Sequence, residues 1–437
     1  MKYQAFLPHN LDKLPQSALL TAAQLEEIKV ISAVLPFKTN NYVTDQLIDW
    51  RNAENDPMFR LTFPQRGMLE PLHYDLLATT MRRGASREVL KNMVNSIRFQ
   101  LNPHPAGQLE HNVPFFEGER LEGIQHKYPQ TVLVFPAQGQ TCHAYCTFCF
   151  RWPQFVGMNE LKFTMREAEQ LVNYVRTHKK VTDVLFTGGD PMIMRTEILA
   201  RYIDALLEAG IEHLQTIRIG TKALAFWPYR FTTDEDADDL LRLFERVVER
   251  GINLSVMAHF SHPVELSTDE VKKAIKRIRA TGAQIRTQSP ILKGINDKPE
   301  IWATMWREQV NQNCIPYYMF IPRDTGARHY FAVPLVKAWE VFRGAYQRVS
   351  GICRTVRGPS MSCDPGKVQL LGVSQIENNK VMVLRLLQGR NPDWVGRPFF
   401  ARYDDQAEWF DELQPASPAD SLFFNQLKKV TSQYSLS

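Results

Sequence analysis

Three cysteines stand close together in Thr141-Cys142-His143-Ala144-Tyr145-Cys146-Thr147-Phe148-Cys149-Phe150-Arg151, spaced C-x3-C-x2-C. Thiolate is the usual protein ligand of iron–sulfur iron, so this segment can ligate three irons of a cubane cluster. The fourth iron would then have no protein ligand, which suits a site that must coordinate and cleave a small molecule. Two plainer readings stand beside it: buried thiols packed as small hydrophobes, or part of a zinc site. Zinc takes four closed ligands, or three and a water, commonly from one C-x2-C pair and a distant second pair. Cys314, Cys353 and Cys363 are scattered and form no second pair.

Other residues with chemical potential lie downstream. In Thr187-Gly188-Gly189-Asp190-Pro191 the glycines let backbone approach a ligand closely, and the Asp190 carboxylate could face a cationic amine. His259, Gln288, Arg323 and Asp324 follow at wide intervals. Taken singly, these are an ordinary turn, a satisfied histidine, a surface glutamine and solvated charges. They gain meaning only if the fold brings them to one place.

The elements that would do so begin at Gln130. Short β-branched or aromatic runs over 131–137, 181–187, 216–220, 254–260, 283–292 and 315–321 alternate with helical windows such as 196–209, 236–250 and 269–280. This alternation signals parallel βα units. Ser267-Thr268-Asp269-Glu270 opens the last of those helices with a capping signature. Six strands and about six helices predict an α/β fold, a partial (β/α)6 TIM-like barrel closed by a helix over 334–349. Chemistry in such barrels sits at the carboxyl ends of the strands. The cysteines follow the first strand, Gly188-Gly189-Asp190 the second, His259 ends the fourth, Gln288 lies along the fifth, and Arg323 follows the sixth.

Residues 1–120 read as a mainly helical N-terminal region, with helical windows at 22–32, 43–54 and 86–97 and no catalytic constellation. Breaks fall at Asp56-Pro57, Phe63-Pro64 and Asn102-Pro103-His104-Pro105. The barrel occupies 121–373. The runs 368–373 and 380–387 predict a hairpin leading into a C-terminal extension, 374–437. The tail from Gly389 is rich in aromatics, which disordered segments lack, so it is expected to pack over the barrel or a partner subunit.

The 437 residues, 44% hydrophobic and 23% charged, are ordinary for a globular protein. No apolar run approaches the roughly 18 to 20 residues of a membrane span, and Met1 to Asn10 lacks the pattern of a signal peptide. Six cysteines without a disulfide framework suit a reducing compartment, so a cytoplasmic protein with no membrane partner is expected. The net charge of +5 is spread among acids, and a nucleic-acid footprint would need a concentrated basic face; no nucleic-acid partner is expected.

The cysteine spacing, with an aromatic before the last cysteine, resembles the radical S-adenosylmethionine (SAM) superfamily. From about Asp56 to Gly372 the chain resembles the lysine 2,3-aminomutase family, which also uses pyridoxal phosphate (PLP). The matching stretches are Asp56-Pro57 near Arg60-Leu61, His126-Lys127-Tyr128-Pro129, the cysteine motif with Arg151, Gly188-Gly189-Asp190, Arg218-Ile219-Gly220, His259-Phe260-Ser261-His262-Pro263, and Gln288 before Gly294-Ile295-Asn296-Asp297. Pro316-Tyr317-Tyr318 and the run from Ser350-Gly351 to Gly366-Lys367 complete the set.

The resemblance implies a 4Fe–4S cluster on Cys142, Cys146 and Cys149, with SAM chelating the open iron. Gly188, Gly189, Asp190, His259 and Gln288 would bind SAM. Lys367 would form the Schiff base with PLP, and Lys127 and Tyr128 would bind its phosphate. Arg151 matches the arginine that pairs with the substrate α-carboxylate, where a planar guanidinium offers two parallel bonds. The activity implied is transfer of an amino group from the α- to the β-carbon of a small amino acid by an intramolecular aminomutase. The family's glycine-rich run before the PLP lysine is replaced here by Ser360-Met361-Ser362-Cys363-Asp364-Pro365-Gly366.

Lysine enzymes of the family place two aspartates around the distal ammonium. Arg323 and Ser360 stand at those positions, so an acidic or neutral polar substrate is expected. The family also implies a reducing protein such as flavodoxin or ferredoxin as electron donor, and a homo-oligomer. The alternatives are a radical enzyme of this fold without PLP, an aminomutase acting on free or protein-bound lysine, and an iron–sulfur electron carrier.

Overall fold

The computed structural model of the protein describes residues 1–102, 112–157, 164–165 and 167–433. An eleven-stranded sheet forms its centre, with the strands in chain order. They are β1 (Ile124–Tyr128), β2 (Thr131–Val134), β3 (Asp183–Phe186), β4 (Thr216–Thr221), β5 (Asn253–His259), β6 (Gln284–Pro290), β7 (Ile315–Phe320), β8 (Arg357–Ser362), β9 (Gly366–Ile376), β10 (Asn379–Gly389) and β11 (Pro398–Arg402). Strands β2 to β8 pair in parallel. Parallel neighbours need crossovers, and each gap contains a helix: Ala168–Thr177, Thr196–Glu208, Ala237–Glu249, Asp269–Ala280, Pro299–Asn311 and Leu335–Gln347. β1 and β11 end the order without meeting, so the barrel is partial.

All six expected strands and the closing helix are present. A seventh parallel strand, β8, was not legible, because Arg-Gly-Pro-Ser-Met-Ser has no apolar run. The expected hairpin is β9 with β10, longer than the apolar runs suggested. Only Glu377 and Asn378 remain between the strands, with Glu377 in the left-handed region at φ +53°.

Alternation along the strands decides what the barrel presents. Val184 and Phe186, Ile217 and Ile219, and Val256 and Ala258 are buried. Their in-between neighbours Leu185, Arg218, Gly220, Met257 and His259 line the concave cavity.

Ahead of the sheet lie helices Ala22–Val34, Asn41–Gln46, Pro57–Thr62, Pro71–Arg82 and Arg87–Leu101. The Asp56-Pro57 break is a helix start: the Asp56 carboxylate accepts the Phe59 amide at 2.6 Å, with proline at the first helical position. Positions 103–105 of the last Pro-rich break lie outside the described residues. In the tail, Trp394, Phe399, Trp409 and Phe410 are buried in the chain's own core with Phe423 and Phe424. These aromatics are therefore consumed within their own chain. One hydrophobic core runs from Phe6 to Leu427 and joins the N-terminal helices, barrel and extension. Among the described residues no helix is long and apolar enough to cross a membrane.

Candidate active site

A cavity of about 440 Å³ opens at the carboxyl ends of the parallel strands, within the range of small-molecule sites. Its wall includes Cys142, Cys146, Cys149, Arg151, Gly188, Gly189, Asp190, His259, Gln288, Arg323 and Lys367. Residues up to 225 positions apart in sequence thus meet on one surface.

The cysteine loop leaves β2 and is braced by the turn after β3. The Asp190 amide donates to the carbonyls of Gly139 and Thr141, at 3.0 and 2.8 Å. A Cβ on Gly189 would stand 2.5 Å from both the amide nitrogen and carbonyl oxygen of Thr141, and one on Gly188 would strike Gln140 at 2.4 Å. Here the glycines admit the cysteine loop itself. The Asp190 carboxylate also departs from expectation. It accepts from the Met192 amide at 2.9 Å, the Thr221 hydroxyl at 2.7 Å and the Lys222 amide at 2.9 Å. Burial raises it to about 6 against the pull of those bonds. Its observed work is to tie the turn to the end of β4, and a cationic ligand amine would have to compete with three protein donors.

All six cysteines are free thiols. Burial raises Cys142, Cys146 and Cys149, the last to about 11. Each also feels one cation that favours its thiolate: Lys38 for Cys142, Lys222 for Cys146, and Arg151 for Cys149. Among the described residues no three side chains of His, Cys, Asp or Glu are set to share one metal ion. Three thiols spread along one wall, each beside a cation, suit a polynuclear cluster better than a single zinc ion.

His259 and Gln288 are register partners on β5 and β6. The His259 ring packs edge-on against Phe148, with centroids 5.7 Å apart. Burial and the Lys222 charge hold its pKa well below the usual value, so the ring is neutral. Its Nε2 is buried without a hydrogen-bond partner, as is Nδ1 of the cavity-lining His143. Unmet buried groups are costly, and a polar ligand in the cavity would satisfy them.

Lys367 projects from β9 with Nζ 4.1 Å from the Tyr318 ring centre and 5.3 Å from that of Phe320. Burial, then the charges of Arg218, Arg357, Lys127 and Arg323, lower its pKa to about 7. Such an amine fits the demand of imine chemistry with an aldehyde cofactor. The unusual run before it forms a tight turn, in which Cys363 and Gly366 exchange backbone hydrogen bonds of 2.9 and 3.2 Å. Lys127 and Tyr128 stand behind the wall. Lys127 donates to the Cys363 carbonyl, and burial with the nearby Arg390 and Arg323 lowers it to about 7. A buried amine among cations fits an anion such as phosphate.

Arg151 lies over the Phe135 ring at 4.1 Å, and no described carboxylate pairs with it. Arg323 donates to the Ser362 carbonyl at 3.2 Å. Both guanidiniums flank Phe150, at 5.5 and 5.3 Å. Ser360 is not brought to the cavity. It is fully buried, and its hydroxyl donates to the Met319 carbonyl at 3.3 Å. Ser362, two residues further on the same side of β8 and at the end of the strand, lines the wall.

Two charged wall residues, Arg218 and Lys222, escaped the sequence reading as site residues, as did Arg357, which stands beside the wall's Tyr317 and Tyr318. Arg218 is braced by Asp183 at 2.8 Å, Lys222 is paired with Glu265 at 2.6 Å, and Arg357 lies over Tyr317 and Tyr318 at 4.3 and 4.5 Å. The signal for Arg218 and Lys222 was their spacing: with Gly220 they hold alternate, inward positions of β4 and its end.

A model of the Radical SAM superfamily matches residues 139–301. A protein named "Putative L-lysine 2,3-aminomutase" from Aquifex aeolicus is 32% identical over 387 residues, 88% of this chain and 90% of that protein. L-lysine 2,3-aminomutase of Clostridium subterminale is 29% identical over 53% of this chain and 52% of its own length. A solved radical SAM methyltransferase from Sphaerobacter thermophilus is 16% identical, covers 55% of this chain and 68% of that one, and has a TM-score of 0.35, too low to bear on the reaction. The radical SAM domain brings with it a 4Fe–4S cluster and SAM. The thiols, the orphaned imidazole nitrogens and the extent of the match converge on one conclusion: the chain belongs to the lysine 2,3-aminomutase family of the radical SAM superfamily.

Proposed function

We propose that this protein is a PLP-dependent radical SAM 2,3-aminomutase whose substrate is an amino acid with a carboxylate or neutral polar distal group. The charge of the cavity wall carries this reading. Among the described residues its one carboxylate is Asp190, already taken by three donors. Arg151, Arg323 and Lys367 face the same space without a carboxylate partner among the described residues. Placing a lysine ammonium there sets like charges together, at a cost of several kcal/mol. A carboxylate reverses that sign.

When bound, the cluster would supply the electron for SAM cleavage and PLP, held at Lys367, would supply an electrophilic carbonyl that takes up the migrating amine. The chain's own residues bind and orient. Cys142, Cys146 and Cys149 hold the cluster. The Arg151 guanidinium grips the α-carboxylate bidentately and fixes the carbon skeleton. Arg323 meets the distal group, Lys127 and Arg390 neutralise a phosphate, and His259 with Gln288 orient SAM. Lys367, neutral for much of the time near pH 7, is poised as a nucleophile and as a proton carrier at Nζ. Phe148, Phe150 and Tyr318 line the space with apolar surface that excludes water. A flavodoxin or ferredoxin in a reducing, cytoplasmic compartment supplies the electron.

The test is an anaerobic assay with iron, sulfide, PLP, SAM and reductant on a panel led by glutamate and lysine, with β-amino products identified by mass spectrometry. Turnover of an acidic or neutral polar amino acid supports the proposal. Turnover of lysine alone overturns the substrate reading, and absence of a pyridoxyl adduct on Lys367 after borohydride reduction overturns the PLP reading.

A further inference from the structure

The N-terminal region, which carries no catalytic constellation of its own, grips the cysteine loop. The Tyr3 hydroxyl donates to the His143 carbonyl at 2.7 Å, Asn40 donates to the same oxygen at 3.2 Å, and the Tyr145 amide donates to the Lys38 carbonyl at 2.8 Å. Within that grip the Lys38 ammonium donates to the carbonyl of Cys142 at 2.7 Å. It lies between the rings of Tyr3 and Tyr145, 5.9 and 5.8 Å from their centres.

Lys38 is half-buried, and no carboxylate among the described residues pairs with it. The contrast with Lys222 is plain, since that ammonium is neutralised by Glu265 at 2.6 Å. A partly buried cation without a counter-charge destabilises the chain that holds it. An anion resident at Cys142 removes that cost. A cubane cluster on three thiolates is such an anion, and it gains one more negative charge on reduction. Net charge and hydrogen bonding near the sulfurs set cluster potentials, and groups just outside the ligands tune the metal.

We propose that Lys38 is a positioning residue for the redox step, an ammonium held against the Cys142 peptide that stabilises the reduced cluster and so raises its midpoint potential. In that step one electron passes to the cluster from a low-potential one-electron donor, dithionite in the test. No covalent bond forms or breaks. The proposal rests on the assignment of the cluster to Cys142, Cys146 and Cys149, and is independent of the substrate and of PLP.

The experiment is a redox titration of the full chain, reconstituted anaerobically with iron and sulfide and followed by the electron paramagnetic resonance signal of the reduced cluster. Lys38→Met is expected to shift the midpoint to more negative potential at wild-type iron content, and Lys38→Arg to restore it. Tyr3→Phe, which removes one bond of the grip and no charge, is expected to leave it in place. An unmoved midpoint in Lys38→Met at full iron content overturns the proposal. So does an equal shift in Lys38→Arg or Tyr3→Phe, which would assign the effect to loop shape. Loss of iron in Lys38→Met with retention in Lys38→Arg supports the charge pairing, whereas loss in both overturns it. A wild-type chain that takes up no cluster overturns the cysteine assignment itself, a result separable from a wild-type cluster with an indifferent Lys38.

Discussion

Lys367 and Tyr318 are in direct cation–π contact, with the amine nitrogen 4.1 Å from the ring centre. The ring favours the charged amine, but burial and four nearby cations outweigh it and bring the pKa down to about 7. The amine is protonated below that value and neutral above it. With PLP supplied, the borohydride-trapped pyridoxyl adduct on Lys367 is therefore expected to increase as pH rises through about 7 and then level off. Peptide mass spectrometry reads the yield, and a flat yield across that range contradicts the assignment.

Gly189 holds the cysteine loop against the turn after β3. In Gly189→Ala the new Cβ meets backbone at 2.5 Å on the Thr141 side, where nothing can rotate away. The expected result is a chain with wild-type far-ultraviolet circular dichroism and a reduced iron content after reconstitution. Gly351→Ala, with no atom within 4 Å of its added Cβ, serves as the control and retains iron.

Arg151→Lys keeps the charge and loses the bidentate fork. A charge-assisted bond contributes about 1.5–3 kcal/mol, so KM for the amino acid is expected to rise roughly tenfold to a hundredfold with a smaller change in kcat. Arg323→Asp reverses the charge at the proposed distal site, and the ratio of kcat/KM for lysine over glutamate is expected to rise. An unchanged ratio places the specificity elsewhere.

The Lys222–Glu265 pair is almost wholly buried, with side-chain exposures of 10% and 0%. Glu265 also accepts from the Ser261 and His262 amides. Breaking such a pair by removing one partner costs about 3–5 kcal/mol, because the other charge is left uncompensated. Lys222→Met and Glu265→Gln are each expected to lower the denaturant midpoint. The double variant is expected to lose less than the sum of the two, as measured by chemical unfolding.

The cysteine spacing, the six apolar runs that became β2 to β7, and the hairpin were legible because each depends on local periodicity or on ligand spacing within one segment. β8 was not, because a buried strand can be held by its neighbours without an apolar run of its own. Ser360 shows the limit of alignment within a strand. Ser362, two residues on and on the same side of the strand, reaches the cavity at the strand's end, whereas Ser360 is held against the Met319 carbonyl of β7. The glycines of the turn were recognisable as glycines of close approach, but what they approach, Gln140 and Thr141, depends on a packing contact.

The amino-acid sequence by itself therefore determined the βα order, the thiol set and the sign of the charges at Arg151, Arg323 and Lys367. The tertiary structure decided which charges remain without a partner. Asp190, Arg218 and Lys222 are each neutralised or tied by residues distant in sequence, while Lys38 reaches across 104 residues to the Cys142 carbonyl. Charge and periodicity are properties of a residue and its near neighbours, whereas neutralisation and convergence are properties of distances that exist only once the sheet is in register.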